Sequence, residues 1–146
     1  MENKLDIIAE WVVWGSLENK RDIETILLKG HLLLEMILEM VLLRNGVNDC
    51  DRFSFYTKIS LLRNLDINEV DKLERIITLL TQLNCLRNKL AHEVLFDVDN
   101  CGLENWGANV LTNFKGKKFT KYTFRTKIVH AFSVLSKNIL ALDRHK

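Results

Sequence analysis

The 146-residue sequence predicts an all-α fold: an up-and-down helical bundle of four to five helices with a Gly/Asn-rich insertion before the last one. Three observations carry this prediction. Proline is absent, so the residue that most strongly breaks a helix never interrupts the chain. Apolar residues, 47% of the total, recur at three- and four-residue intervals along most of the sequence. With 27% charged residues and a net charge of +2, the composition is that of a globular protein, neither disordered nor membrane-spanning. No repeat, low-complexity tract or linker divides residues 1–146, which read as one domain.

Taken in order, Ile7, Ile8, Trp11, Val12 and Trp14 keep helical spacing, and Gly15 reads as the stop of a short first helix. Asn19 reads as the N-cap of the second, with Asp22 in its first turn. Ile23, Ile26, Leu27, Leu34, Ile37, Leu38, Val41 and Leu42 then sustain an apolar face as far as Gly46. Between Leu32 and Leu43 this helix is apolar almost all round, which predicts a central position covered by neighbouring helices and by a second subunit. Ser54 is expected to cap a short helix through Leu65, with Phe55, Ile59 and Leu62 facing inward. Asp66 with Glu69 fits a capping box ahead of a long helix built on Val70, Leu73, Ile77, Leu80, Leu83 and Leu90. From about Val94 to Thr120 the helical pattern lapses, and Gly102, Gly107 and Gly116 gather with several asparagines. That stretch reads as a turn-rich excursion with a hairpin. Phe124, Ile128, Phe132, Leu135, Ile139 and Leu142 mark the closing helix.

Cys50, Cys85 and Cys101 are odd in number and lack paired C-x-x-C spacing, so they read as reduced thiols in the cytoplasm. The first fifteen residues mix Glu2, Lys4, Asp6 and Glu10 among apolar ones, unlike a secretory leader. Leu32 to Leu43 contains Glu35 and Glu39 and falls short of the roughly 20 apolar residues a membrane span needs.

The fourth helix ends in Leu86-Arg87-Asn88-Lys89-Leu90-Ala91-His92-Glu93. Asn84, Asn88 and His92 stack at i, i+4 and i+8, a polar stripe with Arg87 at its side. A guanidinium fork suits phosphate, and an imidazole transfers protons near neutral pH, so the pair points to phosphodiester chemistry. The bland reading is a helix C-terminus at which positive side chains meet the dipole.

This Arg-x4-His ending, with Asn88 after the arginine, resembles the signature of the HEPN superfamily of helical RNA-processing and nucleotide-binding domains. Ser54-Phe55-Tyr56-Thr57-Lys58-Ile59-Ser60-Leu61-Leu62, preceded by the helix of Glu35 and Glu39, is similar to the corresponding region of mannitol operon repressor-type proteins. The likeness runs from about Ile23 to Glu93. It implies Arg87 and His92 as the functional pair, Asn88 as the polar position beside them, and a homodimer that places two motifs across its interface. It also implies metal-independent endoribonuclease activity in a toxin or phage-defence setting, with an antitoxin or regulatory protein as partner. The alternative it implies is a non-catalytic regulator or nucleotide-binding module. In the branch whose partner modifies a tyrosine two positions after the histidine, the matching position here is Val94, which speaks against that control.

Lys115, Lys117, Lys118, Lys121, Arg125 and Lys127 lie in an acid-free run with Phe119, Tyr122 and Phe124, a candidate RNA-binding surface. Its plain alternative is a solvated turn entering a helix. His31, Glu35 and Glu39 form a second stripe, expected to face solvent. With no second histidine at ligand spacing, neither a metal site nor a cofactor is expected. His130 and His145 read as surface residues, and Trp106 either pins the insertion or meets a partner.

Overall fold

The computed structural model describes residues 4–18, 22–114 and 123–142. These form six α-helices: α1 (Lys4–Glu18), α2 (Ile23–Arg44), α3 (Phe55–Arg63), α4 (Val70–His92), α5 (Leu103–Asn113) and α6 (Phe124–Ala141). A single 3-10 turn, Cys50–Arg52, precedes α3, and no strand occurs among the described residues. The all-α expectation holds, but with six helices where four to five were expected.

Several helix ends differ from the sequence reading, each for a packing reason. The first helix does not stop at Gly15: Val13 and Leu17 are both buried, and their shared contact with the core draws the helix on to Glu18. The N-cap of α2 is Asp22, whose carboxylate accepts from the Glu24 N–H at 3.3 Å; Asn19 lies outside the described residues. Its far end follows the Schellman pattern, with the Val47 N–H bonded to the Leu42 carbonyl (2.9 Å) and the Gly46 N–H to that of Leu43 (3.1 Å). Gly46 takes the positive φ of 86° that this stop requires. Ser54 caps α3 as expected, its Oγ accepting from the Thr57 N–H at 3.1 Å. The Asp66–Glu69 capping box does not form. Ile67 is buried and anchors the segment ahead of α4, leaving Glu69 at the N-cap without a side-chain cap bond.

The largest correction is the insertion. Residues 103–113 are a helix rather than a hairpin, because Leu103, Trp106, Gly107 and Val110 fall on one buried face. Gly107 marks a close approach, since a Cβ there would lie 2.8 Å from the Ile128 side chain of α6. Trp106 pins α5 to α4: its ring is buried and its indole N–H donates to the Leu79 carbonyl at 2.8 Å.

The most enclosed helix is α6, not α2. Every residue from Ile128 to Ser136 is buried, and α6 packs on α1, α2 and α5. Ser133 and Ser136 satisfy their hydroxyls on the carbonyls of His130 and Ser133, at 2.8 and 2.7 Å. His130, expected at the surface, is buried with its ring edge-on to Trp14 at 5.6 Å, and burial pushes its pKa below the usual histidine value. Gly30 of α2 admits the Phe132 ring of α6 so closely that a Cβ would lie 2.6 Å from it. On its other side α2 leaves Leu28, Leu32, Met36, Met40 and Leu43 exposed. Among the described residues no helix is long and apolar enough to cross a membrane.

Candidate functional site

Helix α4 carries the motif to its last residue. Arg87 is half-buried, whereas Asn88 and His92 are exposed. At about 100° per residue, Arg87 and His92 stand about 140° apart around the axis, with Asn88 between them. Arg87 lies on the α2 side, close enough for its charge to act on His31. Among the described residues, no side chain hydrogen-bonds or ion-pairs with Arg87, Asn88 or His92.

The stripe of His31, Glu35 and Glu39 does not face solvent. His31 is only 5% exposed, and its Nε2 lies 3.3 Å from the Asn84 Oδ1 of α4. With that oxygen turned toward it, the ring donates from Nε2–H. Its other contact is the Phe55 ring of α3, with centroids 4.1 Å apart. Burial lowers the His31 pKa. The Asn84 hydrogen bond and the Glu35 charge oppose this, the Arg87 and Lys58 charges add to it, and the net direction is down. A neutral ring, steadied from α3, therefore holds Asn84, one turn ahead of Arg87 and Asn88.

Glu35 and Glu39 are occupied by a residue the sequence reading did not single out. Lys58 of α3 is 1% exposed, and its Nζ lies 2.8 Å from Glu35 Oε2 and 2.6 Å from Glu39 Oε1. Burial alone lowers the lysine pKa, but the two hydrogen bonds and two negative charges outweigh it and the net shift is upward. The signal was present in the sequence: Lys58 interrupts the inward set Phe55, Ile59 and Leu62, and two acids sit four apart on the most apolar helix. An inward lysine opposite paired acids is the pattern of a buried ion pair. Among the described residues, no group of three His, Cys, Asp or Glu side chains is arranged to hold a metal ion.

Of the basic run, Lys115, Lys117, Lys118 and Lys121 lie outside the described residues. Arg125 is half-buried in the first turn of α6, and Lys127 reaches Glu104 of α5 at 3.5 Å. All three cysteines are free thiols: Cys50 is buried, and burial pushes its pKa up; Cys101 is half-buried; Cys85 is exposed. The motif residues thus share the end of one helix, whose preceding turn is held by the His31–Asn84 contact. Set against protein-family models, curated proteins and solved structures, the chain matches none.

Proposed function

We propose that this protein is a metal-independent endoribonuclease of the HEPN type, acting as a homodimer. The observation that carries the reading is the set Arg87, Asn88 and His92, left without side-chain partners among the described residues at the end of a helix whose other face is locked into the core. No acid pairs with Arg87 among the described residues, and Glu35 and Glu39 are both held by Lys58.

In the reaction, His92 accepts the proton of a ribose 2′-hydroxyl as the oxygen attacks the adjacent phosphorus. Arg87 grips the non-bridging oxygens and stabilises the charge that grows there, with Asn88 as a hydrogen-bonding orienter. The bond to the 5′-oxygen breaks, leaving a 2′,3′-cyclic phosphate, and the departing oxygen takes a proton from an acid. One motif supplies one histidine, so a second copy provides that acid.

The twofold contact is assigned to the exposed α2 stripe of Leu28, Leu32, Met36, Met40 and Leu43. Around the axis of α2 it borders the Glu35–Glu39 row. A cytoplasmic setting, with an antitoxin or regulatory protein as further partner, belongs to the same proposal. The up-and-down order of the helices belongs to it too. The stripe also favours a second reading, a non-catalytic regulator resembling mannitol operon repressor-type proteins, in which it docks another protein.

RNA cleavage in EDTA divides the two. Wild type is expected to cut, whereas His92→Ala and Arg87→Ala are expected to lose cleavage while keeping their helical circular dichroism and dimer mass. Undiminished cleavage by His92→Ala refutes the mechanism; an inert wild-type dimer favours the regulator.

A further inference from the structure

Two cavities, of about 260 and 280 Å³, adjoin along the seam between α4 and α5 and share Gln82 and Asn109 in their walls. Together they make one groove. Its α5 wall presents Asn105, Asn109 and Asn113, an asparagine at every turn, and its α4 wall presents Gln82. All four amides are exposed. Asn113 donates to the Asn109 carbonyl at 2.8 Å, whereas the side chains of Gln82, Asn105 and Asn109 have no partner among the described residues. The floor is apolar and rigid, made by Leu79, Leu86 and the pinned Trp106. A cation stands toward each end, Arg75 and Lys89, with Glu74 the one acid lining the walls. From Arg75 to Lys89 the groove follows α4 for about 21 Å.

We infer that this groove binds a single strand of RNA and leads it to His92. The inference rests on the proposed function and names how that site takes its substrate. Amides offer donors and acceptors side by side and so match the edges of unpaired bases, which helical proteins read with such side chains. An apolar floor accommodates base faces, and cations spaced along a groove track phosphates. A peptide strand would leave three amides in step with α5 and two terminal cations without a shared purpose. Continuity decides the direction of travel: Lys89 lines the groove and sits three residues before His92, on the same flank of α4.

The test uses full-length dimer and a short, unstructured, fluorescently labelled oligouridine in EDTA, with binding read on a His92→Ala background so that no strand is cut. The combined Gln82→Ala, Asn105→Ala and Asn109→Ala variant is expected to bind about 30-fold more weakly, the loss of three modest hydrogen bonds. Arg75→Gln is expected to reduce the salt slope of log affinity by about 0.7, as for one phosphate contact. Oligouridine is also expected to slow alkylation of Cys85, which lines the groove. On the cleaving background the triple variant raises KM and leaves kcat in place.

Unchanged affinity and unprotected Cys85, with RNA still bound and cut, overturn the groove and leave Arg87 and His92 as the site. Groove-dependent binding without cleavage upholds the groove and removes the nuclease. Failure of the wild-type dimer to bind RNA overturns both.

Discussion

Lys58 gives the sharpest physical prediction. Its ammonium is almost wholly removed from water and makes two charge-assisted hydrogen bonds, at 2.8 and 2.6 Å. Lys58→Met keeps the stem and deletes the charge. Breaking a fully buried ion pair costs about 3–5 kcal/mol, because a buried charge is left behind. Here the stranded groups are Glu35 and Glu39, whose side chains are 25% and 31% exposed, so water recovers part of that penalty. Against the loss stands the relief of no longer desolvating the ammonium. Repulsion between two carboxylates one helical turn apart adds a few tenths of a kcal/mol. The net expectation is a loss of about 2 kcal/mol, or a fall in Tm of about 6 °C for a chain of this size.

Three signatures accompany it. The loss persists at high salt, since a buried pair is little screened. Replacing Glu35 and Glu39 by glutamine in the Lys58→Met background recovers most of it, because the stranded charges are gone. The raised lysine pKa gives the pH dependence its sign: the stabilisation is complete below the unfolded lysine value, near pH 10.4, and fades as pH rises through the folded value. Wild type and variant therefore converge only in strong alkali. Urea or thermal denaturation followed by circular dichroism reads all three. A variant within about 0.5 kcal/mol of wild type, or a loss abolished by salt, refutes the argument.

Two further predictions concern stability. His31 and His130 both have pKa values lowered by burial, so the unfolded chain takes up their protons first as the medium is acidified. Stability is then complete above about pH 6.5 and declines below it toward the folded values; Tm measured from pH 8 to 5 should fall, and fall less steeply in His31→Gln, whereas identical slopes would count against the assignment. Gly30→Ala drives a methyl into the Phe132 ring and is expected to cost about 1–3 kcal/mol, while Gly15→Ala, exposed and mid-helix with nothing within 4 Å of the new Cβ, should gain about 0.5–1 kcal/mol. Opposite signs in chemical denaturation check the pair.

How much was legible in advance follows the range of the interactions. Helix α4, the cap at Ser54 and the inward face of α6 rest on contacts three or four residues apart, and periodicity reports those directly. That Asn84, Arg87, Asn88 and His92 fall on the last turns of α4 was legible for the same reason. Helix α5 was missed because Gly107 and the asparagines look like turn chemistry locally; only the approach of α6 shows that the glycine is needed for packing. The groove amides were overlooked with it, since their wall did not exist without that helix.

By itself the sequence determined the helical class and the run of α4 to His92. These follow from spacing and side-chain chemistry along a single element. Tertiary structure alone decided that His31 meets Asn84 across 53 positions and that Lys58 occupies Glu35 and Glu39. It also decided that α6 rather than α2 is the enclosed helix. The physical reason is that burial belongs to the assembled interior: an apolar stripe says that a face wants cover, and only the packing of other helices decides which stripe receives it.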